Sequence, residues 1–223
     1  MKIRLAIDSG EKRAFATAVD WPGWARSGKT RDEALTRLIE YGARYKKSLG
    51  RAASTLTLPQ SVDDLEVVAT VSGDKNADFG VPHATVTPDL APISEAQLDD
   101  QVKLLVAAWR AFADVDAAAR GKTLAAGPRG GGRSLSKIVE HVHEADRLAY
   151  IVSLGAKAPP SAASRDEVEA AFIGALHAKL RGELPEKGPR GGERWSARYA
   201  IRRSAWHALD HAWEIEDRSS ESA

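Results

Sequence analysis

The sequence predicts an α+β protein in which a small N-terminal β-sheet and helix precede a C-terminal four-helix bundle. Three observations carry that expectation. Apolar residues alternate with polar or small ones over the first strands, the pattern of a half-buried sheet. Gly73, Gly80, Pro82, Pro88 and Pro92 then interrupt any long element. Beyond them the apolar spacing changes to three and four residues, the period of an amphipathic helix. The expected organisation is therefore an α+β unit over 1–72, a linker over 73–93 and a bundle over 94–223.

In chain order, Ile3, Leu5 and Ile7 mark a first strand and Ala14 to Val19 a second, joined by the turn-like Asp8-Ser9-Gly10 and read as a hairpin. Thr30-Arg31-Asp32-Glu33 has the form of a capping box. It opens a helix carrying Ala34, Leu35, Leu38, Ile39 and Tyr41, and Leu65 to Val71 supplies a further strand. Ser94-Glu95-Ala96-Gln97 is a second box, followed by Leu98, Val102, Leu105, Trp109 and Phe112. The second bundle helix begins at Ser134 or Ser136, with Leu135, Ile138, Val142, Ala145, Ala149 and Val152 on one stripe. Ser164 caps a third, and the fourth runs from near Ala197 to Asp217. Four such stripes facing inward make a bundle.

Composition narrows the class of function. The 32 basic and 31 acidic residues leave a formal charge of +1, so no global field draws the chain to nucleic acid or an anionic membrane. With no cysteine, disulfides, thiolate ligands and cysteine nucleophiles are excluded, and any metal must use nitrogen and oxygen donors. The N-terminus lacks a signal-peptide pattern and no apolar run reaches the ~20 residues of a membrane span. A cytoplasmic protein is the default expectation.

His207 and His211 stand four residues apart in Trp206-His207-Ala208-Leu209-Asp210-His211-Ala212-Trp213, a run without Gly or Pro. At about 100° per residue the two imidazoles share one side of a helix, and such a pair binds a metal ion when further ligands join it. His141, in the second bundle helix, is the candidate third ligand. His143, two residues on, points elsewhere. His83 and His177 are read as surface or core residues. Glu144, Asp146, Asp210 and Glu214 are candidate partners for the ring nitrogens, or else ordinary solvating charges. Three neutral imidazoles leave a coordination position open, the mark of a catalytic rather than a structural site. An internal repeat, Gly127-Pro128-Arg129-Gly130-Gly131-Gly132-Arg133 and Gly188-Pro189-Arg190-Gly191-Gly192-Glu193-Arg194, leads twice into a ligand-bearing helix. It reads either as two flexible connectors or as anion-presenting turns.

From Ser94 to Arg218 the chain resembles the DinB-like four-helix-bundle family. The resemblance is carried by Ser134-Leu135-Ser136-Lys137-Ile138-Val139-Glu140-His141-Val142-His143-Glu144-Ala145-Asp146 and by the H-x-x-x-H of His207 and His211. It implies zinc or nickel on His141, His207 and His211, and an activity like that of the family's transferases, which use a low-molecular-weight thiol. More weakly, Ala14 to Trp24 followed by Gly28 to Leu35 is similar to the HicB-like antitoxin fold. That likeness implies a partner-binding domain, with a structural add-on as the other reading.

The function expected is a metal-dependent thiol transferase: a divalent ion on the three histidines activates a low-molecular-weight thiol for attack on an electrophile. Arg203, one turn before His207, and Tyr199 before it are candidates for binding a carboxylate of the thiol, against the plainer reading of a solvated helix end. The alternative is a non-catalytic binding or regulatory protein whose bundle forms a homodimer and whose N-terminal domain contacts a protein or RNA partner. A carrier using the bundle cavity is a third reading. The six tryptophans fit buried anchors and an interface equally.

Overall fold

The computed structural model describes residues 2–72, 75–126 and 132–220. Its fold is α+β. Strands β1 (Ile3–Ser9) and β2 (Ala14–Ala18) form the expected antiparallel hairpin, with Leu5 opposite Ala18. A third strand, β3 (Ala25–Gly28), pairs antiparallel with β2. Its Ala-Arg-Ser-Gly sequence has no apolar alternation, which is why the pattern did not announce it. Helix α1 (Arg31–Glu40) follows at once. A Cβ on Gly28 would lie 2.5 Å from the Ala34 amide nitrogen, so only glycine lets the strand turn this closely into the helix. The Thr30 hydroxyl accepts from the Glu33 amide as a cap should, while Glu33 reaches back to the amide of Lys29 at 2.7 Å, one residue earlier than a strict box. Helix α2 (Gly42–Leu49) comes next, then β4 (Leu65–Ser72), which lies parallel to β1 and gives the sheet order β3-β2-β1-β4.

The segment expected as a linker carries two short helices, α3 (Lys75–Asp78) and α4 (Thr87–Leu90), and its described part is fastened to the last helix of the chain. Asp89 is buried and takes both Nε and Nη2 of Arg202, at 2.9 and 2.6 Å. The Tyr199 hydroxyl donates to the His83 carbonyl at 2.6 Å, and Arg198 donates to the carbonyls of Ala91 and Pro92.

The helical region consists of α5 (Glu95–Ala119), α6 (Leu135–Glu144), a π-helical turn (Ala145–Tyr150) continuing into α7 (Ile151–Leu154), α8 (Arg165–Leu180) and α9 (Ala197–Ser220). Capping boxes start α5 at Ser94 and α8 at Ser164. One buried cluster runs from Leu5, Ile7, Trp24 and Leu38 into Leu105, Trp109, Leu209 and Ile215, so the sheet layer and the helices bury their apolar faces together. No helix among the described residues is long and apolar enough to cross a membrane.

A chain of buried polar groups fixes how α9 sits against its neighbours. The Trp109 indole N–H donates to Ser204 Oγ at 2.9 Å, and the Ser204 hydroxyl donates to Asp146 Oδ1 at 2.6 Å. Asp146 Oδ2 lies 2.8 Å from Arg165 Nη1. Burial raises the Asp146 pKa, opposed by the Arg165 charge and the Ser204 hydrogen bond. Four elements meet there, one turn of α9 before His207, so a rotation of α9 would break the chain.

Candidate metal centre

Helix α9 runs unbroken through His207 and His211, and α6 brings His141 up to them. The Nε2 atoms of His141 and His207 are 3.1 Å apart. Ring centroids are separated by 4.8 Å for His141 and His207, 5.2 Å for His141 and His211, and 4.7 Å for the pair on α9. One nitrogen from each ring lies within 4.8 Å of the others. Nitrogen bonds of ~2.1 Å around a tetrahedral ion place ligand atoms roughly 3.4 Å apart; the closest pair is already inside that spacing, and the third nitrogen lies no more than 4.8 Å from either.

Electrostatics favour lone pairs over protons. Burial pushes the His207 pKa well down, and any charge on His211, Arg203, His141 or Arg133 pushes the same way. His141 is lowered too, first by burial and then by Arg133, with Glu214 opposing. Neutral imidazoles are the form that binds metal. His211 Nδ1 lies 2.8 Å from Glu214 Oε2, and Glu214 Oε1 accepts from Arg218 Nη1 at 2.8 Å. Arg218 Nε in turn donates to the Ala125 carbonyl. A carboxylate held in this way keeps the proton on Nδ1 and leaves Nε2 as the donor atom toward a cation. His207 Nδ1 is buried with no hydrogen-bond partner. The donor set thus fits a borderline divalent ion, with three nitrogens and, among the described residues, no fourth histidine or carboxylate in the group.

Of the four acids considered as ring partners, Glu214 alone meets a triad ring. Glu144 pairs with Arg147, Asp146 belongs to the buried chain, and Asp210 pairs with Arg26. His143 lines a separate cavity of about 980 Å³ between α5, α6 and α8, and His177 Nε2 is 3.7 Å from Asp99. Arg203 stands at the edge of the triad, its guanidinium 4.6 Å from the Trp206 ring centroid and 5.6 Å from that of Tyr150. Its Nη1 is buried without a hydrogen-bond partner. Tyr199 commits its hydroxyl to His83 and sets its ring edge-on to Trp195.

Sequence reasoning missed Tyr150, whose ring centroid is 5.8 Å from that of His207. Burial lifts its pKa to about 12, so it stays a neutral O–H donor. At about 100° per residue an uninterrupted helix would place residue 150 roughly opposite His141. The π turn takes up extra residues and changes the phase. The same change buries Asp146, Arg147 and Tyr150, and exposes Leu148 and Ala149, where the expected stripe had Ala149 inward.

In the repeat, residues 127–131 lie outside the described residues. The charge of Arg133 is felt at His141 and His207. In the second copy the Gly188 amide donates to Gly192 and the Gly191 amide to Gly188, while Arg194 Nη1 donates to the Val152 carbonyl at 2.7 Å. The two amides close the loop on itself, and the arginine fastens it to the end of α7. Comparison with protein-family models, with curated proteins and with solved structures gave no match to this chain.

Proposed function

We propose that this protein is a metal-dependent enzyme of the thiol-transferase kind, holding a zinc or nickel ion on His141, His207 and His211. The observation that carries the reading is the 3.1 Å approach of two Nε2 atoms from separate helices, on rings whose surroundings disfavour protonation. A bound divalent ion supplies Lewis acidity, lowering the pKa of a thiol or water in the open position. The chain's own residues do the rest. Glu214 orients His211, the chain from Ser204 to Arg165 holds α9 in register, and Arg203 offers a cationic donor for an anionic group of the thiol or electrophile. Tyr150 offers a neutral hydroxyl to an oxygen that gains charge. Trp206 and Tyr150 flank the Arg203 guanidinium and limit its access to water.

The test is metal analysis of protein purified without an affinity tag, joined to an assay of thiol consumption with a model electrophile. One zinc or nickel per chain, with turnover lost in His207→Ala, is the expected result. A metal-free protein that takes up neither ion would refute the metal centre. Stoichiometric metal without turnover of glutathione, cysteine or another small thiol would refute the transferase chemistry alone.

A further inference from the structure

A second cavity, of about 320 Å³, lies between the sheet and α9, and no histidine lines it. Arg13, Arg26, Ser27 and Trp206 line it, with Phe79 at its rim. Arg26 is the unusual member. Its guanidinium sits in the corner of two tilted rings, 3.9 Å from the Tyr41 centroid and 4.1 Å from that of Trp213, with only 14% of the side chain exposed. One hydrogen bond, Nη1 to Asp210 Oδ1 at 3.1 Å, neutralises it. Its Nε and Nη2 are buried without hydrogen-bond partners, and so is the Trp206 indole nitrogen.

All three orphaned atoms are donors with no acceptor capacity, so their complement is a group that only accepts. Leaving such donors buried and unpaired is unfavourable, because they have given up water without gaining an acceptor. The two acids on the cavity wall do not supply that complement. Asp78 Oδ1 already accepts from the amides of Lys12 and Arg13, and Asp210 is 38% exposed and reaches Arg26 through one oxygen. Burial pulls the Arg26 pKa down in spite of Asp210, as expected of a cation short of negative partners. Phe79, 80% exposed, adds an apolar surface at the mouth.

We propose that this cavity binds a small organic oxyanion, a carboxylate or a phosphate monoester, with the charged end on Arg26 and Arg13 and the carbon skeleton against Phe79. None of the three histidines lines the site, so the whole chain stripped of metal with a chelator is the material to use. Benzoate, phenyl phosphate and inorganic phosphate are titrated calorimetrically into it, and into Arg13→Gln and Arg26→Lys proteins whose folding circular dichroism verifies. Saturable one-to-one binding of benzoate or phenyl phosphate is expected, weakened about tenfold or more in Arg26→Lys, where a planar fork becomes a point charge, and several-fold in the exposed Arg13→Gln. The tighter of the two organic probes identifies the charged group, and weaker binding of inorganic phosphate than of phenyl phosphate locates the Phe79 contact. Absence of saturation by both organic probes, or affinity unchanged in Arg13→Gln and Arg26→Lys, would overturn the site whatever the metal result.

Discussion

The two helical runs that supply the triad differ in one respect that governs how each is read. Helix α9 keeps a single α-helical phase from Ala197 to Ser220, so His207 and His211 fall together as their spacing requires. The run from Leu135 to Leu154 changes phase at the π turn. His141 lies before the change and is placed by ordinary periodicity; Tyr150 and Asp146 lie within it and are not. A spacing rule holds on a helix only as far as its hydrogen-bond pattern does.

Breaking the π turn's interior should give the largest effect. Asp146→Ala removes a buried carboxylate shared by Ser204 and Arg165, Arg165 keeping its bond to Glu169, so unfolding in denaturant should show a loss of about 2–3 kcal/mol; a loss below ~1 kcal/mol would mean that the buried chain does not hold α9. On the α9 side, Glu214→Gln should leave the fold intact and weaken metal binding by about 10–100-fold, read by competition with a chromophoric chelator. Equal affinity in the variant would show that His211 is oriented without Glu214.

A pH series sharpens the comparison further. Burial lowers the pKa of His207 and His141 below the ordinary value of 6.5. Below that pH the unfolded chain takes up protons that the folded one refuses. Metal-free protein should therefore lose stability as pH falls through 6.5, with a slope of up to about 1.4 kcal/mol per unit from His207, and show no such contribution above it. His207→Ala should flatten the slope. The smallest stability change is expected of Tyr150→Phe, within ~0.5 kcal/mol, because no hydrogen bond in the described structure is removed; under the enzymatic reading its turnover with thiol and electrophile should fall.

Much of the architecture was legible because it is written locally. Thr30, Ser94 and Ser164 announce three helix starts, and alternation announces β1, β2 and β4. What stayed hidden depends on partners distant in sequence. Strand β3 is a strand because β2 pairs with it, not because Ala-Arg-Ser-Gly alternates. The segment from 75 to 93 reads as loop because glycines and prolines break it up, while the bond from Asp89 to Arg202 that ties it down spans 113 residues. His141, His207 and His211 were legible as a set, since two lie on one helix face and the third on a neighbouring bundle helix. The pairing of Glu214 with His211 was one of four acidic options, and packing decided among them. Tyr199 and Arg203 have adjacent backgrounds on one helix but separate fates, the first bound to the His83 carbonyl and the second left with a buried, unpartnered nitrogen beside the triad.

Cobalt(II) titration of the metal-free, untagged protein, followed by visible absorption, tests the three-histidine centre most directly. One ion per chain, with ligand-field bands of a low-coordinate nitrogen site that vanish in both His141→Ala and His207→Ala, is the outcome expected. No saturable uptake, or spectra unchanged by those substitutions, would contradict it.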